Sequence, residues 1–375
     1  MSVSDGPMPA IAAVETTTVT ARAKAALKVR GARVVHDAST FTLVRVVTDE
    51  GVDGFGEVSA TAAWSGEDAV TATHFVRDVL APALIGKPLA PIEAHAAEFD
   101  RILRGNWFTK AGVSTALWDA LGRTRGVSVA ELLGGPYRRD VPVKISLSGD
   151  GDELRGAYEA AVGLGFRSFK VKVGRDPDAD TARVALAREL VGEDALLGAD
   201  ANGGWSLPVA LDTVPRLAAS RIAFIEQPVP ADDLEGLREV RALGVPLVAD
   251  ESVYSQADVL RIGRLAAADV VSVYVGKSSG LERAVESARL ATELGMDVVI
   301  GANGEMGIGA AAQLHVACAC ERLGEIPHGI TGHHFYEEDP TLETPLDIDG
   351  TVARLPVGPG LGVEPSDEVR RSFAS

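Results

Sequence analysis

The chain has 375 residues, 46% of them hydrophobic and 24% charged, with a net charge of -17; this is an ordinary composition for a globular protein, at a length that predicts two domains. The negative charge argues against nucleic acid or an anionic membrane surface as a partner. No apolar stretch approaches the roughly 20 residues of a membrane helix, and the opening MSVSDGPMPA lacks the basic-then-apolar pattern of a signal peptide and reads as a frayed tail.

From residue 11 to about 60 the pattern is β-rich. Its clearest part, FTLVRVVTDEGVDGFGEVSA (41–60), has two strand-like runs flanking the turn chemistry of Thr48-Asp49-Glu50-Gly51, which predicts a hairpin. From Gly66 to about Gly126 the period turns helical, and TKAGVSTALWDALGRTRG (109–126) ends in the glycine expected after a helix. A hairpin followed by helices predicts an α+β unit over 1–135.

After Leu133-Gly134-Gly135-Pro136 short β-branched runs alternate with helical stretches rich in alanine and leucine. The runs are VPVKISLSG (141–149), RSFKVKVG (167–174), ALLGADAN (195–202), IAFIEQP (222–228), PLVADES (246–252), DVVSVYVG (269–276) and DVVIGAN (297–303), with a weaker eighth at GITGHHF (329–335). Such alternation implies parallel strands with right-handed crossovers, and eight units in about 200 residues fit a closed barrel. No G-x-G-x-x-G supports the rival open sheet. The barrel is expected over 136–345, with 346–375 packing back on the N-terminal unit. Cys318 and Cys320, in HVACACERL, are two residues apart on a helix and point in different directions. They read as small buried residues of a protein from a reducing cytoplasm.

The chemistry of a barrel sits at the C-terminal ends of its strands. The third, fourth and fifth strands each deliver a carboxylate there: Asp200, Glu226 and Asp250. Neighbouring strands are about 4.8 Å apart, so the three would repel without a cation. Oxygen ligands with no Cys or His select Mg²⁺ or a similar ion such as Mn²⁺. Lys170 and Lys172 alternate with apolar residues on the second strand and so both point into the barrel mouth. A lysine crowded by a second cation and a metal is expected to have the lowered pKa of a general base.

These residues resemble the enolase superfamily, specifically its muconate lactonizing subgroup. TLVRVVTDEGVDGFGE and STALWDALGRTRGVSVAELLGG look like segments of the capping domain. FKVKVG looks like the paired-lysine motif, and ADAN, IEQP and ADES look like the three metal-ligand motifs in order. The resemblance implies a modified (β/α)7β TIM-like barrel with an N-terminal α+β capping domain. It implies Mg²⁺ on Asp200, Glu226 and Asp250, a small carboxylate substrate, an enediolate formed on proton loss, Lys172 as acid/base and Lys170 as its electrostatic neighbour. It also implies a homo-oligomer. Asn202, in ADAN, Glu305, in GANGEMGIGA, and Trp64, in the AWSGE loop (63–67), are candidates for substrate contact, with loop 22–36 also over the mouth.

Two strands depart from the family pattern. On the sixth, where relatives carry a second lysine, VSVYVGKSSG aligns Tyr274 with the catalytic place and Lys277 with a later basic residue; either could face the substrate, and Tyr274 is favoured. A tyrosine, with its unperturbed pKa near 10, disfavours two-base racemisation but can still donate a proton. On the eighth, His333 or His334 could meet the far end of the substrate. The expected reaction is therefore cycloisomerisation or dehydration of a small carboxylic acid. The alternatives are a racemase or epimerase of amino-acid derivatives using Lys277 as second base and, remotely, a non-catalytic metal-binding barrel.

Overall fold

The computed structural model describes residues 8–32 and 37–373. The expected frayed tail therefore falls mostly outside the described residues, as do positions 33–36 of the predicted mouth loop. Among the described residues no helix is long and apolar enough to cross a membrane.

Three antiparallel strands, β1 (Ile11–Arg22), β2 (Ala38–Thr48) and β3 (Asp53–Val58), form the N-terminal sheet in that order. The predicted hairpin is β2–β3, with Thr48 and Val52 closing the turn. Helix Trp107–Arg125 lies on β3 and ends at Gly126, in the left-handed conformation that glycine adopts without strain. The glycines of VDGFGEV explain how closely helix and strand pack. A Cβ on Gly56 would lie 1.9 Å from the Gly112 carbonyl oxygen, and one on Gly54 would lie 2.3 Å from that of Ala116.

The second unit begins with β4 (Asp140–Pro142). Seven parallel strands follow in sequence order: β5 (Ile145–Leu147), β6 (Phe169–Lys172), β7 (Leu197–Asp200), β8 (Ile225–Glu226), β9 (Leu247–Ala249), β10 (Val270–Val273) and β11 (Asp297–Ile300). Each lies inside a predicted run, and helices connect them. The eighth position differs from expectation. Residues 329–335 do not form a strand; instead a bridge at His328 pairs with Val143. The Gly329 N–H donates to Ile300 O and the Lys144 N–H to His328 O, so this short segment closes the ring between β11 and β5. Gly332 then takes φ +51° and opens a 3₁₀ turn, Gly332–Phe335, which ends the extended chain. The architecture is a modified (β/α)7β barrel capped by an N-terminal α+β domain. Phe224, Val248, Val270 and Val299 plug the barrel floor. Cys318 and Cys320 are buried and free.

Buried carboxylates join cap to barrel. Glu57, at the end of β3, accepts from the N–H groups of Met306 (2.7 Å) and Gly309 (2.9 Å), at the start of helix Gly307–Ala319. Burial pushes its pKa up to about 8. Asp119 accepts from the N–H groups of Phe55 and Leu361 and so ties the C-terminal segment to the N-terminal sheet and helix. β12 (Val352–Arg354) of the same segment pairs with β4 under the barrel.

Gly56→Ala tests the close packing of strand and helix. Overpacking against backbone should lower unfolding stability by about 3 kcal/mol, read from urea denaturation; an unchanged midpoint would mean that the two elements can separate without cost.

Candidate active site

Alternation along each strand decides what enters the barrel. Lys170 pairs in register with Ser146 and Gly198, and Lys172 pairs with Asp200, which pairs in turn with Glu226. Lys170, Lys172, Asp200, Asn202, Glu226, Asp250, Tyr274 and Trp64 line one cavity at the C-terminal ends of the strands. Its outer wall is apolar and comes from Ala23, Leu27, Val29, Phe335 and Tyr336. That wall is pinned in place. The Lys24 N–H donates to Phe335 O, and Ser148 Oγ accepts from the Arg30 N–H while donating to Lys28 O.

The carboxylates are held by lysines. Lys170 Nζ donates to Glu226 Oε1 at 2.8 Å and lies 2.8 Å from Asp200 Oδ2. Lys172 Nζ donates to Asp200 Oδ2 (2.7 Å) and Asn202 Oδ1 (3.0 Å). Burial alone would disfavour the Lys170 ammonium, but Asp200 and Glu226 outweigh it and hold its pKa above the ordinary lysine value. Burial likewise opposes the Asp200 charge, yet Lys170 and Lys172 hold that carboxyl well below the usual range. For Glu226 burial wins and its pKa is raised.

The residues flanking the carboxylates have their own functions. Asn202 sits at φ +45°, a conformation asparagine tolerates better than most residues, and its amide donates to Glu251 Oε1. Gln227 of IEQP is fully buried; its carbonyl oxygen accepts from the N–H groups of Asp250 and Ser252, so the end of β8 orients the end of β9. Trp64 Nε1 donates to the same Glu251 oxygen, and its ring packs 5.9 Å from that of Tyr274.

The structure separates the two candidates on the sixth strand. Val270, Ser272 and Tyr274 alternate inward, so Tyr274 faces the cavity. The chain then turns helical over Val275–Ser278, which carries Lys277 behind the tyrosine. Its Nζ donates to Asp250 O (2.6 Å), Asp250 Oδ1 (2.5 Å) and Ser272 O (2.9 Å), 4.3 Å from the centre of the Tyr274 ring. Lys277 is fully buried and does not line the cavity. Burial, then Asp250, raises the Tyr274 pKa well above its ordinary value, so the phenol stays protonated.

Three further candidates also lie off the cavity wall. Glu305 is turned to the Asn303 N–H and the Gln313 amide, with its pKa pushed up to about 7 by burial. His334 bonds Ile348 O and packs edge-on against Phe166, while the His333 ring lies against that of His334, tilted by 49°. The 3₁₀ turn aims the His334 ring at Ile348 of the C-terminal segment, whereas a strand would have alternated the two rings, one of them toward the mouth. Conversely, Lys144 and Ser272 line the cavity and were not singled out from sequence. The alternation 144–146–148 and 270–272–274 carries that signal.

As Asp200, Glu226 and Asp250 stand, each paired with a lysine, no three acidic, histidine or cysteine side chains among the described residues gather closely enough to hold an ion. Even so, the set is oxygen-only and comes from three adjacent strands. Glu226 Oε2 and Asp250 Oδ2 accept no hydrogen bond from a described residue. That fits a hard divalent cation.

Comparison with known proteins agrees with this geometry. Residues 10–134 match the family model for the mandelate racemase/muconate lactonizing enzyme N-terminal domain, and residues 153–369 match the enolase C-terminal domain-like model. The chain is 36% identical to muconate cycloisomerase 1 of Rhodococcus opacus over 87% of this chain and 89% of that protein. It is 31% identical to an N-succinyl-L-Arg/Lys racemase of Bacillus cereus over 87% and 88%. The crystal structure of a muconate lactonizing enzyme from Pseudomonas fluorescens complexed with muconolactone superposes with a TM-score of 0.90 at 29% identity, covering 98% of this chain and 99% of that one. With both halves of the chain matched and the barrel-mouth residues assembled as described, the protein belongs to the enolase superfamily, in its muconate lactonizing enzyme subgroup, and is an enzyme of that isomerase and lyase class.

Proposed function

We propose that this enzyme moves a proton at the carbon next to a carboxylate through Lys172 alone, while a carbon–oxygen bond is made or broken at the adjacent carbon. Cycloisomerisation of the muconate type is the leading case, and dehydration shares the same steps. The observation that carries this reading is the placement of Tyr274 on the cavity wall with Lys277 buried behind it. A two-base racemase needs a proton acceptor on each face. Here one face presents the Lys172 side-chain nitrogen and the other the Tyr274 phenol, whose pKa is raised by burial. For Lys277 to act as the second base it would have to leave three hydrogen bonds and cross the tyrosine ring.

Asp200, Glu226 and Asp250 would hold Mg²⁺ or Mn²⁺, which when bound supplies positive charge beside the substrate carboxylate and makes the neighbouring C–H more acidic. The rest is done by the chain. Lys172, between Asp200 and Asn202, takes or returns the proton. Lys170 stays charged and stabilises negative charge on the carboxylate oxygens of the enediolate. Tyr274 offers its O–H to the oxygen leaving or entering on the far face. Trp64 and the 23–32 wall exclude water from the mouth, which strengthens each of these interactions. The similarity to muconate cycloisomerase 1 of Rhodococcus opacus supports the leading case.

Turnover of muconates and acid sugars, screened with Mg²⁺, is expected to stop with EDTA and to return with Mg²⁺ or Mn²⁺. Activity that ignores EDTA would contradict the assignment of the carboxylates. Lys172→Ala should lower kcat by roughly 10³-fold, within the range for loss of a general acid–base group; a drop of less than tenfold would remove Lys172 from its role. Lys277→Met leaves the Asp250 carboxylate without its buried partner and should cost about 3 kcal/mol of unfolding stability, measured by urea denaturation. A stability equal to wild type would show that the buried pair is not what holds Asp250.

A further inference from the structure

One carboxylate at the mouth has no place in the chemistry above. Glu251 follows Asp250 at the end of β9, where Gln227 Oε1 accepts from the N–H groups on either side of it, those of Asp250 and Ser252. A single oxygen makes its hydrogen bonds. Oε1 accepts from Trp64 Nε1 at 3.1 Å and from Asn202 Nδ2 at 2.9 Å, whereas Oε2 is buried and has no hydrogen-bond partner among the described residues. Leaving a buried oxygen unpaired is costly. The carboxylate is thus placed for its other oxygen, on which a donor from the cap and a donor from the barrel meet.

The two donors lead in opposite directions. Trp64 stands on a single helical turn, Ala62–Ser65. Barrel and cap anchor this turn on its two sides: Asn303 Nδ2 donates to Ser59 O, and Glu67 accepts from the N–H groups of Phe108 and Thr109. Between the anchors Ala62, Ala63 and Gly66 are exposed, so the indole is what the turn sends into the mouth. Asn202 leads to the base, since its Oδ1 accepts from Lys172 Nζ at 3.0 Å. Donor chemistry fixes the sense of the whole chain. An indole N–H and an ammonium can only donate, and a carboxylate can only accept. With Nδ2 committed to Glu251, Asn202 must present its oxygen to Lys172. Without Glu251 the amide can turn over and set its NH₂ group against the ammonium, which has no acceptor to offer it.

We propose that Glu251 is a positioning residue that makes the base depend on the cap. Trp64 docks on its Oε1 and shields that oxygen from water; the same oxygen then holds Asn202 in the sense that fixes Lys172. Proton transfer is therefore efficient only while the turn at 62–65 is docked. The coupling rests on the reading of Lys172 as the base, and it gives that base a determinant in a side chain that does not itself line the cavity.

Two measurements test the coupling, the first on the enzyme without substrate. Hydrogen exchange read by mass spectrometry should show the amides of residues 61–67 exchanging at least tenfold faster in Glu251→Ala, and in Trp64→Phe, which keeps an aromatic ring but has no N–H to donate. Glu251→Gln keeps the accepting oxygen and should exchange as the wild type does. The second measurement is turnover, with Mg²⁺, of the muconate or acid sugar accepted best in the screen above. Trp64→Phe and Glu251→Ala should each lower kcat at least tenfold with KM within twofold of wild type. The double variant should be no slower than Glu251→Ala, because both changes break one chain, and Glu251→Gln should stay within threefold of wild type. Unchanged exchange at 61–67, losses that multiply in the double variant, or a Glu251→Gln as slow as Glu251→Ala overturns the coupling. If Glu251→Ala does not fold, Trp64→Phe decides, and a kcat equal to wild type in that variant overturns it. Full turnover by Lys172→Ala, or no turnover of any screened acid by the wild type, overturns instead the reading of Lys172 as the base, and with it the coupling, whatever the exchange shows.

Discussion

Three carboxylates on adjacent strands inside a closed barrel cannot stay ionised without cations at contact distance. At the spacing of a parallel sheet their repulsion in a low-dielectric interior would far exceed the stability of a domain. The chain meets this constraint with lysines. Lys170 bridges Asp200 and Glu226, Lys172 holds Asp200, and Lys277 holds Asp250. The compensation runs both ways, since each buried ammonium depends on its carboxylate for the same reason. The groups meant for chemistry are thus also the groups that allow the barrel mouth to fold. The Gln227 link between β8 and β9, the Glu57 link to the cap and the pinned 23–32 wall fix this charged layer beneath an apolar roof.

The same constraint makes the site one-sided. Asp250 needs a counter-charge, and Lys277 supplies it from a helical turn behind the strand, not from the strand itself. The inward position thereby freed on β10 goes to Tyr274, whose ring covers the Lys277 ammonium. On the proposed reading, a lysine engaged in holding Asp250 is not the second base, and the buried phenol, its pKa raised above the ordinary value, acts as a donor. The chemical asymmetry between Lys172 and Tyr274 follows from where the counter-ion for a single aspartate was placed.

Much of this was legible in the sequence because strand ends obey simple alternation. Asp200, Glu226 and Asp250 are polar residues where apolar ones are expected, at equivalent heights, and Lys170 and Lys172 share a face. The hairpin turn at Thr48–Gly51 and the helix stop at Gly126 rest on equally local rules. Less legible were features set by the path of the chain between elements. His333 and His334 read as rim residues only if 329–335 is a strand; once Gly332 turns the chain, His334 bonds the C-terminal segment and His333 lies against His334. Lys277 could not be placed because nothing local distinguishes a strand that continues past Tyr274 from one that turns helical there. Lys144 obeys the alternation that revealed Lys170. It stands near the N-terminal end of its strand, however, where an inward lysine has no expected chemistry.

A site built this way requires that proton transfer occur from one face only. The most direct measurement is ¹H NMR of an accepted carboxylic acid incubated with enzyme and Mg²⁺ in D₂O, followed by determination of configuration at the α-carbon. The expected result is a single deuterium at that carbon with configuration retained, placed there by Lys172. Deuterium accompanied by inversion would show a second working base opposite Lys172 and would contradict it.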